Sequence, residues 1–252
     1  GTYITDDDDG TFERFAISNS QKSLPEPYFP HFIHQGHFPL VTNPYLYHKF
    51  FESKIPGSEK FLNKKYCPEC VKAILKEFDE GSVLMQYIGH GGNQLWSEER
   101  IFYGTDRNTS NVLELQPNTR FPFVVSWSCL TGYLNFNIQP WTVCLSEELI
   151  RYPDRGAIAV WGPSGGGTTN KHMSLSKYML RNLTLDGLDR LGEATTVTEI
   201  EFLQEESSPS LINQYILFGD PAVRLSLPQE RNPVPVTPGF ILSGQQQTFD
   251  FQ

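Results

Sequence analysis

Apolar residues along this chain come in short uninterrupted runs, and the runs stop at glycine or at a reactive side chain. Residues 82–92 (SVLMQYIGHGG) are apolar up to Ile88 and end in His90, set among Gly89, Gly91 and Gly92. Residues 121–132 (FPFVVSWSCLTG) repeat the form and end in Cys129, followed by Leu130, Thr131 and Gly132. An unbroken apolar run of about four to eight residues bounded by glycine predicts a strand buried on both faces, as in a parallel sheet. Ligands of open α/β sheets bind beyond the carboxyl ends of the strands. Two such strands therefore place an imidazole beside a thiol at one sheet edge.

The same pattern predicts the other elements. Residues 2–5 (TYIT) form a short strand leading into the run Asp6, Asp7, Asp8, Asp9, and 11–22 form a helix turning Phe12, Phe15 and Ile17 inward. The Pro- and His-rich stretch 23–43 breaks any helix, so His31, His34 and His37 read as loop or strand-edge residues despite their metal-like spacing. Helices are predicted over 45–52 and 68–80, the second with Val71, Ile74, Leu75 and Phe78 on one stripe. Further helices are predicted over 97–102, 142–151, 171–182, 195–205 and 210–218, and further strands over 156–161 and 222–225. Residues 1–226 make one α/β domain, 227–238 (LPQERNPVPVTP) a stiff proline-rich linker, and 239–252 a terminal strand or the stub of an appended β-domain.

Composition narrows the class. The chain has 252 residues, enough for a full core, and 38% hydrophobic content marks it as globular. With 20 basic against 29 acidic residues the net charge is −9, which argues against a nucleic-acid-binding face. No apolar stretch reaches the roughly 18 residues of a membrane span. The first residues carry no signal peptide, and the start reads as a processing boundary. The four cysteines are too few for a disulfide framework. Cys67 and Cys70 form a C-x-x-C without a second pair at metal-ligand spacing, which favours a local disulfide or a free pair over zinc.

The candidate chemistry is nucleophilic. A thiol needs an adjacent base or a lowered pKa to act as a nucleophile, and His90 supplies the base if it lies beside Cys129. Gly91 lets a substrate carbonyl approach its N–H, and with the N–H of Cys129 it predicts an oxyanion hole. Ile88 and Trp127, two residues earlier on each strand, point the same way as the reactive side chains, so Trp127 reads either as a wall of the first specificity pocket or as core. A lone buried Cys or His is more often a core residue; the joint placement after two strands favours chemistry. Asp7, Asp8 and Asp9 read either as a solvated turn or as carboxylate ligands of a hard cation such as Ca²⁺, without EF-hand spacing. The glycines of 162–167 (GPSGGG) lack the Lys and acidic partners of a nucleotide loop and suit a backbone passing close to substrate.

These blocks resemble the caspase-like cysteine peptidases, and within them the gingipain family. YIGHGG, SWSCLTG, LSEELIR, GAIAVWGPSG and YILFGDPAVRL follow one another in that family's order, and YITDDDDGTF resembles the start of its catalytic subdomain. The Q-A-C-x-G caspase signature is absent. The resemblance implies a caspase-like three-layer α/β/α sandwich with a mostly parallel sheet, plus a short C-terminal β extension. It implies a secreted or surface cysteine endopeptidase with Cys129 as nucleophile, His90 as base and protein or peptide substrates, some relatives being sortase-like transpeptidases. It also implies an N-terminal prodomain or subdomain outside this chain, and a structural Ca²⁺ that the chemistry does not require. Relatives orient the His with a carboxylate from before its strand; residues 30–38 offer none, so the reading is a Cys–His dyad or an acid from elsewhere. A catalytically silent or regulatory homologue acting as a binding module is the alternative.

Overall fold

The computed structural model describes residues 1–8, 10–26, 28–42, 65–104, 110–135, 143–206 and 208–228. Strand β1 (Thr2–Thr5) runs into helix α1 (Gly10–Ser23), then β2 (His31–His34) and the short pair β3 (Val41–Thr42) and β4 (Lys65–Tyr66). Helix α2 (Pro68–Glu80) begins on a proline, which has no N–H to lose there, and is closed by Gly81 at φ 84, whose N–H reaches Glu77 O. Strand β5 (Leu84–Ile88) follows, then the strands β6 (Gly91–Gly92), β7 (Leu95–Trp96) and β8 (Phe102–Tyr103) of a small antiparallel sheet. The rest comprises α3 (Asn111–Glu114), β9 (Phe123–Trp127), α4 (Leu145–Ile150), β10 (Ala159–Pro163), α5 (Thr169–Thr184), α6 (Leu191–Glu205) and β11 (Tyr215–Phe218).

The main sheet has six strands in the order β11-β10-β9-β5-β1-β2, all parallel except β11. Alternation along each strand divides the core in two. Tyr3, Leu84, Ile88, Phe123, Val125, Trp127 and Trp161 pack against α1, α5 and α6 on one face. Ile4, Met85, Tyr87, Val124 and Val160 pack on the other face against α2, α4 and the small sheet. The sheet is thus covered on both sides, which is why its central strands read as continuous apolar runs.

Several expectations needed correction. Residues 97–102 are a turn entering β8, because Ser97 and Arg100 have φ 60 and 54 and because Trp96 and Phe102 pair across the small sheet with ring centroids 5.0 Å apart. Residues 210–218 split into a single 3₁₀ turn (Ile212–Gln214) and edge strand β11, whose pairing with β10 prevails over the helical spacing of its apolar residues. Strand β10 extends past Trp161 through Gly162 and Pro163, and residues 222–225 contribute only a bridge between Arg224 and Arg190. The expected helix over 45–52, and the strand over 239–252, fall outside the described residues. Among the described residues no helix is long and apolar enough to cross a membrane.

Candidate active site

Three strand ends build the site. In the parallel pair β5–β9, Ile88 lies opposite Trp127, so both strands leave the sheet at the same level and deliver His90 and Cys129 to one edge. The loops that follow touch. A methyl group on Gly91 would lie 2.7 Å from Ser128 Oγ and 2.8 Å from Cys129 O, so only glycine fits there. Ser128 is held from below through Ser126 Oγ, 3.0 Å away, which accepts from the indole N–H of Trp96. Leu130 adopts φ 64, and its N–H donates to Gly165 O, tying the turn after the thiol to the loop after β10. Among the described residues the Cys129 N–H has no hydrogen-bond acceptor. The Cys129 thiol lies 3.8 Å from Gly167 O, and a methyl on Gly166 would approach Sγ to 4.0 Å.

The third end is β1. Asp6 Oδ2 accepts the His90 N–H at 2.9 Å, and Asp6 Oδ1 accepts the Asp7 N–H at 2.9 Å. Burial pushes the Asp6 carboxyl up to about 6, offset in part by the His90 N–H, while the neighbouring Asp8 charge raises it further. Tyr87 Oη donates to His90 O, so the backbone of His90 is held at both its N–H and its carbonyl. Asp8 Oδ2 stands 4.0 Å from His90 Nε2, and Phe12 meets the imidazole edge-on at 5.6 Å. The carboxylates beside the histidine therefore come from the acidic run after β1, not from 30–38. That run follows the short, fully buried strand β1, so it too begins at a strand end.

Two sequence-derived groupings change. Ile88 and Trp127 are 1% and 2% exposed, and Trp127 donates its indole N–H to Gln86 and packs on Trp161 and Tyr215, so both are core and not pocket wall. The side chains of Asp7 and Asp8 diverge: Asp8 groups with Asp6 and His90, and Asp7 with Asp6 and Glu99, while Asp9 lies outside the described residues. Asp7 Oδ1 and Glu99 Oε2 both accept from the amide of Gln35, a fully buried residue whose Oε1 has no partner. Desolvation and the charges of Glu99 and Asp8 raise the Asp7 carboxyl. An all-oxygen set of this kind can hold a hard cation.

Other candidates are structural. Cys67 and Cys70 are buried and unbridged at the start of α2, with no His, Asp or Glu completing a metal cluster among the described residues. His31 pairs with Glu77 at 2.6 Å, whereas His34 and His37 lie 3.9 and 3.2 Å from the same Glu13 oxygen and His34 also meets Thr5 Oγ1 at 2.8 Å; among the described residues these imidazoles form no metal-ligand cluster. Cys144 is buried, and desolvation pushes its thiol up to about 11.

With this geometry in view, comparison with known proteins is informative. A family model described as peptidase family C25 matches residues 2–226. Gingipain R2 from two strains of Porphyromonas gingivalis is 23% and 22% identical over 200 residues, covering 71% of this chain and 24% of each relative. The chain thus spans about a quarter of the length of these curated relatives. The crystal structure of the Arg-specific cysteine proteinase gingipain R superposes with a TM-score of 0.61 at 16% identity, over 89% of this chain and 47% of that one. A complex of Porphyromonas gingivalis pro- and mature domains matches equally well, with a TM-score of 0.61 at 15% identity, over 89% of this chain and 48% of that one. These likenesses, with the two-sided parallel sheet, establish the caspase-like α/β/α sandwich.

Proposed function

Because the chain belongs to peptidase family C25, we propose that it is a cysteine endopeptidase that works through Cys129 and His90. The observation that carries this reading is the register of β5 on β9, which brings both residues off the sheet side by side. Asp8 faces Nε2 of His90, which leaves Nδ1 to take the thiol proton once Cys129 turns from Gly167 O towards the imidazole. The thiolate attacks the peptide carbonyl, and the N–H groups of Gly91 and Cys129 receive the developing oxyanion. His90 then gives its proton to the leaving amine, and an acyl-enzyme remains on Sγ. Water, deprotonated by His90, releases the acid; an amine acceptor in its place would make the enzyme a transpeptidase.

Asp6 and Asp8 have distinct parts in this scheme. Asp6 anchors the His90 backbone, and Asp8 supports the imidazolium that forms during attack. The Arg preference named for the solved relative is a property of that relative. Secretion or surface display, and pairing with a pro-segment outside this chain, rest on the relatives alone.

A structural Ca²⁺ is part of the same reading. The oxygens of Asp6, Asp7 and Glu99 fit a hard cation, and reversing the Gln35 amide would add its unpartnered Oε1 to them. Bound there, the ion would neutralise the acidic loop that anchors His90, without entering the reaction. Calcium should raise the Tm of the parent and leave Asp7→Asn unmoved; equal shifts in both would remove the site from consideration.

The test of the catalytic reading is thiol labelling followed by intact mass. Iodoacetamide should modify Cys129 far faster than Cys144, whose thiol burial holds at about 11. His90→Ala should slow the labelling of Cys129 and lower peptidase activity by about 10²–10⁴-fold; a Cys129 rate unchanged in that variant would count against His90 as its base. Equal rates at the two cysteines in the parent would defeat the proposal.

A further inference from the structure

The C-x-x-C pair takes no part in the chemistry of Cys129, yet the fold brings its two thiols together. Cys67 is the N-cap of α2 and Cys70 the third residue of that helix, and the Val71 N–H closes the first turn on Cys67 O at 3.1 Å. Residues three apart on a helix share a face, with Cβ atoms about 5–6 Å apart. A disulfide needs Cβ atoms about 3.5–4.5 Å apart. Cys67 sits at φ −122 and ψ 72, outside the helical region, so the closing movement falls on the N-cap and leaves the helix in place. Both residues are 0% exposed, among Ile4, Ile33 and Ile74, and the Cys67 thiol reaches outward only to Pro39 O at 3.9 Å.

The two sulfurs are chemically unlike. Hydrogen bonding from the Cys70 thiol holds Cys67 below the usual thiol range against the opposing effect of burial. The same contact, together with burial, pushes Cys70 up. A thiol at a helix start that is lowered in this way is the one that attacks a disulfide, and its buried neighbour is the one that resolves the product. Cys144 also caps a helix, α4, but its turn holds no second cysteine, and burial pushes it up to about 11.

We propose that Cys67 and Cys70 are a reversible thiol–disulfide site, a dithiol in reducing surroundings and a local disulfide in oxidising ones. The oxidant is a small disulfide such as oxidised glutathione. Opening of the first turn of α2 admits it. The Cys67 thiolate attacks one of its sulfurs, forms a mixed disulfide and expels the first thiol. Cys70 then attacks the Cys67 sulfur, the protein disulfide closes, and the second thiol leaves. Two protein thiols are oxidised, one small disulfide is reduced, and the two protons end on the departing thiols. The closed bond clasps α2 where the chain arrives from β4, and α2 leads through Gly81 into β5, the strand that ends before His90.

The test uses Cys129→Ala, so that the exposed thiol does not compete. The protein is held folded, and separately refolded from urea, in glutathione buffers running from reduced to oxidised. It is then denatured, alkylated with N-ethylmaleimide and weighed intact. Reduced protein should take three labels and oxidised protein one, on Cys144, with dithiothreitol restoring three. Oxidation should raise the Tm by at least about 2 °C. Adding Cys70→Ala should halt the reaction at a glutathione adduct on Cys67 and remove the redox-dependent gain in Tm. Three labels after refolding in oxidised glutathione, a lasting glutathione adduct while Cys70 is present, or equal midpoints in the two states overturns the inference. None of these outcomes bears on the peptidase reading, since the variant lacks Cys129.

Discussion

At the level of single residues the site depends on close packing between loops and on one buried acid. A methyl at Gly91 would press on Ser128 and on the Cys129 carbonyl, so Gly91→Ala should destabilise by roughly 1–3 kcal/mol and lower kcat, measured by thermal melting and peptide cleavage. Asp6 yields a pH prediction. Its carboxyl titrates at about 6 in the fold against about 3.9 when unfolded, because burial disfavours the charge. A raised acid binds more protons folded than unfolded. Its contribution is therefore greatest below the unfolded value and is lost as pH rises from about 4 to 6, by about 3 kcal/mol in total. Asp6→Asn should flatten the stability curve in that window; a slope identical to the parent's would show that Asp6 is not its source.

At the level of elements, local pattern and final structure agree best where one face is buried throughout. Helix α2 was legible because Val71, Ile74 and Phe78 repeat at helical spacing and all face the sheet. Ile74→Ala should cost about 2–5 kcal/mol through the cavity it leaves, whereas Lys72→Ala, which removes only an exposed pair with Glu69, should cost under about 1 kcal/mol by urea titration. Strand β11 was misread because its apolar residues satisfy helical offsets over a short run. Only its partner β10 shows that backbone pairing decides the conformation. The turn over 97–100 was misread for a related reason. Its polar composition permits a helix, but the stacking of Tyr87, Trp96 and Phe102 holds the chain in a hairpin arrangement.

For the molecule as a whole, one sheet carries both cores. Val124 and Val125 are adjacent in β9 and point into opposite layers, so neither layer can melt without freeing the strand they share. Val124→Ala and Val125→Ala should each lower the midpoint of one common transition, seen together by near- and far-ultraviolet circular dichroism. Two separated transitions would show that the layers unfold independently. The shared sheet also explains how residues from three distant parts of the sequence meet at one edge. Parallel strands in register end together, and the loops after β1, β5 and β9 emerge as neighbours.

Local hydrophobicity was enough to place His90 and Cys129 at strand ends, since a doubly buried strand needs an unbroken apolar run and its end is marked where polar or reactive residues begin. The layered α/β class and the main amphipathic helices were legible on the same grounds. Strand order and side-chain direction were not, because they depend on which distant surfaces bury each other. Only the tertiary structure set β1 beside β5 and so brought Asp6 and Asp8 to His90. It also turned Ile88 and Trp127 into the core and put His172 and Gln214 beneath the glycine loop. Contacts of that kind join residues far apart in the chain, and their geometry is fixed by packing that no local pattern records.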